Sequence, residues 1–200
     1  MTSMKKSGRF KYFLGKSWMR ANGWTFSGDL PPQGKFLLIC APHTSNWDLI
    51  YLLAVMFLLR IKVSWMGKHT IFKKPFGNFM KWLGGIPVDR RSTHGVVDQI
   101  VDHFNQQENL IIAIAPEGTR HRTDLWKSGF YHIAYKAQVP LLLGYVDYEH
   151  KRAGTGPAFI PTGDIKKDMD RIREFYADIR GAKPEEESTI ILREEMVPNK

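Results

Sequence analysis

Phe36-Leu37-Leu38-Ile39-Cys40-Ala41-Pro42-His43-Thr44-Ser45-Asn46-Trp47-Asp48 runs straight into the apolar stretch Leu49 to Leu59. The first six residues form an apolar run of strand length, the next few carry turn and capping types, and the last stretch has helix length. This strand-turn-helix reading is partly repeated at Leu110-Ile111-Ile112-Ala113-Ile114-Ala115, followed by Pro116-Glu117-Gly118-Thr119-Arg120. Both polar stretches therefore lie on loops at strand ends, where α/β proteins place their chemistry. Further strands are expected at Lys62 to Met66, Leu141 to Tyr148 and Ala158 to Pro161. Helices are expected at Val96 to Phe104 and from Ile165 to Ile179, the last capped by Asp164 and closed by Gly181. Strands alternating with helices predict one α/β domain with a central, mostly parallel or mixed sheet flanked by helices.

Working outward, Gly23 to Pro32 reads as turns or a short hairpin, and Phe72 to Leu83 as a basic amphipathic segment around Pro75. Upstream, Phe10, Phe13, Leu14 and Trp18 recur at helical spacing among Lys11, Lys16 and Arg20, with Lys5, Lys6 and Arg9 before them. A basic helix with aromatic anchors reads as an interfacial membrane helix, but this segment alone slightly favours an ordinary amphipathic helix docked on the core, because Gly15 weakens the helix. We divide the chain into a basic amphipathic N-terminal segment, 1–30, and a main domain, 31–200. The acidic run Glu185-Glu186-Glu187 and the tail after it are expected to be solvated.

Composition narrows the function classes. The 200 residues carry a net charge of +9, and such a field attracts anionic membranes, phosphorylated substrates or nucleic acid. No helix-turn-helix, zinc or aromatic RNA-binding signature accompanies the charge, so nucleic acid ranks last. The single Cys40 excludes an intramolecular disulfide and reads as core packing. The histidines follow no metal-ligand spacing, so no metal is expected, and no glycine loop of nucleotide-binding type is present. Met1 to Gly8 is polar with no apolar region and cleavage site behind it, so no signal peptide is expected. Leu49 to Leu59 is too short to span a bilayer, which needs ~20 residues.

His43 and Asp48 are five apart, so they face away from each other in a continuous helix but can meet if His43 lies in the turn and Asp48 in the first helical turn. A carboxylate beside an imidazole fixes its tautomer and stabilises the imidazolium, which prepares the other ring nitrogen to act as a base. The competing structural role is a capping box, with Asp48 reaching back to Ser45 at the start of the helix. Ser45 lacks the elbow context of a covalent nucleophile, so a direct transfer fits better, with His43 taking the proton of an attacking alcohol.

Four blocks in this order, His43 to Asp48, Gly85-Ile86-Pro87-Val88-Asp89-Arg90, Glu117-Gly118-Thr119-Arg120 and Val139-Pro140-Leu141, resemble the glycerophospholipid acyltransferase family. The resemblance covers roughly Phe36 to Leu143. Ser45 and Lys68 also match common family positions, and Pro42 stands where the family usually has Asn. It implies an acyltransferase-like fold and catalysis by His43 and Asp48. It also implies an acceptor headgroup held by Lys68, Arg90, Glu117, Gly118, Thr119 and Arg120, with Glu117 orienting the acceptor or bracing an arginine. The expected reaction moves a fatty acyl group from acyl-CoA or acyl-carrier protein to the hydroxyl of a lysophospholipid such as 1-acyl-glycerol-3-phosphate. No cofactor is expected. The expected location is peripheral, on the cytoplasmic face of an anionic membrane. The competing reading is a non-catalytic protein that binds lipid headgroups or a membrane surface.

Overall fold

The computed structural model of the chain describes residues 8–73, 75, 77–82, 84–88 and 95–196, the side chains of 67, 68, 71 and 82 excepted. In chain order the elements are α1 (Arg9–Ala21), β1 (Thr25–Ser27), β2 (Lys35–Cys40), α2 (Trp47–Leu59), β3 (Ser64–Lys68), α3 (Gly77–Trp82) and β4 (Gly85–Val88). Then come α4 (Val96–Gln106), β5 (Leu110–Ile114), α5 (Gly129–Ala137), β6 (Leu141–Asp147), β7 (Arg152–Phe159) and α6 (Ile165–Tyr176).

One seven-stranded sheet runs in the order β1-β7-β6-β2-β5-β3-β4. β6, β2, β5, β3 and β4 are mutually parallel, while β7 runs antiparallel to β6 and carries β1 parallel to itself. β2 is central and buried on both faces, which is why its sequence is continuously apolar rather than alternating. Leu37 and Ile39 enter the core beneath α4, α5 and α6, and Phe36 and Leu38 enter the opposite layer with Leu52 and Met56 of α2. Each such side chain removed from water contributes roughly 1.5–3 kcal/mol.

Several expectations need correction. The 23–32 region holds β1, which pairs with β7 across the chain instead of forming a hairpin. The last strand is β7, longer than the expected 158–161 and earlier. It carries Gly154 and Gly156, and a side chain at Gly154 would run into the Ser27 carbonyl, so glycine permits the pairing. The strand expected at 62–66 lies at Ser64–Lys68, and β4 falls inside a block valued only for its polar end. Within 72–83 the described residues hold the end of a 3-10 turn, His69–Phe72, and then α3. Asp164 caps α6 through the Lys167 N–H at 3.1 Å, but the helix ends at Tyr176 and Gly181 does not close it. The tail is not simply solvated: Glu187 accepts the Gly181 N–H at 2.6 Å, and Leu192 is fully buried.

Candidate active site

The parallel sheet brings the motif loops to one edge. Ile39 pairs with Ile114 and Cys40 with Gly144, so the chain leaving β2 at His43 is flanked by the loop after β5 and by the turn after β6. Lys68 pairs with Val88 at the same edge. The side chain of Lys68 and all of Arg90 lie outside the described residues.

After a cis Ala41–Pro42 peptide, His43 lies in the loop and Asp48 is the second residue of α2. Asp48 Oδ2 accepts the backbone N–H groups of Thr44 and Ser45, each at 2.9 Å, and stands 3.1 Å from His43 Nδ1. The capping contact and the His/Asp pair are thus both made, by the same oxygen. Asp48 Oδ1 accepts from the Tyr148 hydroxyl at 2.9 Å. The carboxylate is only 6% exposed, yet donors and the helix dipole satisfy its charge. The His43 side chain is 31% exposed, and with Nδ1–H given to Asp48 its Nε2 carries the lone pair.

Behind the loop, Glu117 Oε1 accepts the His43 backbone N–H at 3.1 Å. Glu117 is 4% exposed and its Oε2 is buried without a partner, so burial pushes the carboxyl up to about 7. Glu117 is therefore placed to hold the histidine loop, and it makes no hydrogen bond to Arg120. Burial also raises the Cys40 thiol to about 12, which keeps it protonated.

Two cavities meet at His43. One, of about 190 Å³, is largely apolar and runs among Leu38, Leu49, Leu52, Val55, Ala113 and Val146. The other is a polar groove formed by His43, Ala115, Gly118, Thr119, Arg120 and His121. Gly118 has φ +67°, and a side chain there would also strike the Lys127 amine, so Lys127 stands against this loop. Among the described residues neither Arg120 nor Lys127 has a carboxylate partner. The groove therefore presents the cationic side chain of Arg120, while the cavity offers an apolar lining. Among the described residues no three His, Cys, Asp or Glu side chains gather as metal ligands do.

The C-terminal segment ties both loops down. Thr44 Oγ1 accepts the Lys183 N–H at 3.2 Å, and Glu186 accepts the Arg122 N–H at 3.0 Å and meets His121 Nδ1 at 3.4 Å. Sequence reasoning missed Tyr148, Lys127, Thr44 and Glu186 as parts of this site. For Tyr148 a signal existed, since it ends a predicted strand just as His43 follows one, but only the strand order makes them neighbours.

The acyltransferase family profile matches residues 24–142, more than half of the chain. This chain is an acyltransferase-family member. A 1-acyl-sn-glycerol-3-phosphate acyltransferase of Haemophilus influenzae is 29% identical to it over 107 residues, 50% of this chain and 43% of the relative. The enzyme of the same name from Escherichia coli K12 is 30% identical over 109 residues, 51% of this chain and 43% of that protein. The chain thus aligns with less than half the length of these curated relatives. Its fold is similar to that of the 1-acyl-sn-glycerophosphate acyltransferase PlsC from Thermotoga maritima. The TM-score is 0.53 at 17% identity, covering 88% of this chain and 81% of the other.

Proposed function

We propose that this acyltransferase moves a fatty acyl group from a thioester, acyl-CoA or acyl-carrier protein, to the hydroxyl of a lysophospholipid of the 1-acyl-glycerol-3-phosphate class. The observation that carries the reading is the position of His43, where a largely apolar cavity meets a groove carrying Arg120. His43 Nε2 takes the proton of the acceptor hydroxyl as its oxygen attacks the thioester carbonyl. Asp48 stabilises the imidazolium that results. Collapse of the tetrahedral intermediate breaks the carbon–sulfur bond, and the imidazolium returns its proton to the leaving thiolate. The acceptor phosphate sits against Arg120, with Lys127 adding a point charge; the family resemblance adds Lys68 and Arg90 to the headgroup set.

The reaction belongs at a membrane surface. Phe10, Phe13, Leu14 and Trp18 of α1 and Trp47, Leu49 and Ile50 of α2 are exposed, and no helix among the described residues is long and apolar enough to cross a bilayer. An apolar group of this extent fits peripheral docking. Donor thioesters of this kind are made inside the cell, which favours the cytoplasmic face.

The test incubates purified protein with labelled acyl-CoA and acyl-carrier protein against a panel of lysolipids. His43→Ala is expected to lower turnover at least ~100-fold with little change in thermal stability. Arg120→Ala is expected to raise the acceptor KM by about 10- to 150-fold while sparing the donor KM, and Arg122→Ala to do little. Undiminished transfer by His43→Ala would favour the lipid-binding reading instead.

A further inference from the structure

Tyr148 lies 100 residues from Asp48 in sequence and donates its hydroxyl to Asp48 Oδ1 at 2.9 Å. The other three donors on this carboxylate all converge on Oδ2. Both carboxylate oxygens lie off the Cβ–Cγ axis, so the donors on Oδ2 and the separate donor on Oδ1 together fix the carboxylate plane. That donor is itself immobilised. The Tyr148 N–H donates to the Arg180 carbonyl at 2.9 Å. Its ring meets Trp24 edge-on at 5.1 Å and Tyr51 at 5.7 Å, and these two stack on each other at 3.8 Å. Burial, and after it the charge of Asp48, hold the phenol above its usual range, so it stays a donor wherever an enzyme of this kind works.

We propose that Tyr148 is a positioning residue of the acyl-transfer site, which orients the Asp48 carboxylate so that Oδ2 presents itself to His43 Nδ1. The inference rests on the His43/Asp48 reading above. The hydroxyl does two things. It helps to fix the carboxylate plane, and it draws part of the negative charge toward Oδ1, away from the imidazole. The aromatic support comes from three separate segments: the turn after α1, the first turns of α2 and the end of β6. The dyad is thereby indexed to the layer that carries the exposed apolar face.

The test is steady-state kinetics of Tyr148→Phe across pH, beside His43→Ala and in an Asp48→Asn background. Phenylalanine keeps the ring in its cluster and removes only the oxygen. We expect kcat to fall about tenfold with both KM values within about twofold. The acidic limb of kcat/KM should move upward, because without the hydroxyl the carboxylate charge is less shared. Glu117 behind His43, with Cys40 and Tyr176 near it and Tyr51 beside Tyr148, is unchanged in both proteins, so these groups contribute equally to the two profiles. In the Asp48→Asn background the second substitution should cost nothing further in kcat, whereas a merely structural role would give multiplying losses. If Tyr148→Phe does not fold, 3-fluorotyrosine at 148, a stronger donor, should move the acidic limb downward. Unchanged kcat and pH profile in Tyr148→Phe, or an unmoved limb with fluorotyrosine, overturns the inference while an inactive His43→Ala leaves the dyad standing. An active His43→Ala instead overturns the reading on which it rests.

Discussion

At the scale of single residues, two buried carboxylates a few ångströms from one histidine have opposite fates. Asp48 collects four donors, and Glu117 accepts the His43 amide on one oxygen while the other is left without a partner. The consequence for Glu117 is measurable. Its carboxyl rises from 4.5 to about 7, so the folded protein holds this proton more firmly than the unfolded chain does. The associated stabilisation is complete below pH 4.5 and is lost as pH climbs through about 7, a change of roughly 3 kcal/mol. Glu117→Gln has no such proton to lose. Urea unfolding at pH 5 and pH 8 should show the stability difference between variant and wild type moving in the variant's favour by that order; a difference independent of pH would mean that Glu117 is solvated. His43 and Asp48 could be paired from the sequence because the link is local: a turn residue and an acid in the first turn of a helix. Tyr148 and the position of Glu117 behind the loop could not, because they depend on β6 and β5 lying on either side of β2.

At the scale of elements, the runs that were legible are those buried on two faces or striped on one. β2, β5, β6 and α4 all announce themselves by continuous or periodic apolar residues. β1, β4 and β7 are short or glycine-rich strands whose identity comes from their neighbours. Gly15 shows the same limit. It reads as a helix-weakening residue, yet it is buried where α1 crosses α2, and a Cβ there would stand 2.7 Å from the Ala54 carbonyl oxygen and 3.0 Å from Phe57 Cβ. Glycine is thus required by close approach of the two helices, and the docked reading of α1 is correct on this side while its aromatic side remains outside. Gly15→Val should lever α1 away from α2 at a cost of about 1–3 kcal/mol in urea unfolding. The same substitution at exposed Gly8, which has open space around it, should cost far less. Equal effects at the two positions would show that α1 does not pack as described.

At the scale of the molecule, the proposed membrane docking draws on both a net charge of +9 and the exposed apolar residues of α1 and α2. Each basic residue near an anionic surface contributes ~1 kcal/mol, and salt screens that contribution while leaving the apolar one in place. Sedimentation with phosphatidylglycerol vesicles should therefore fall clearly, but not to zero, between 0.1 and 0.5 M salt, as the Debye length drops roughly twofold from about 10 Å. Replacing Phe13 and Trp47 with serine should remove the salt-resistant part. Binding that vanishes with salt alone would leave the apolar face without a role. The N-terminus of α2 brings these properties to one place. Asp48 stands between Trp47, 58% exposed, and Leu49, 55% exposed, and Leu49 also lines the apolar cavity beside His43. A protein seated on lipid by those neighbours meets its acceptor in two dimensions. On the proposed function its velocity then follows the mole fraction of lysolipid in the bilayer plane, so diluting that lysolipid with inert phospholipid at constant bulk concentration should slow acyl transfer as surely as removing it.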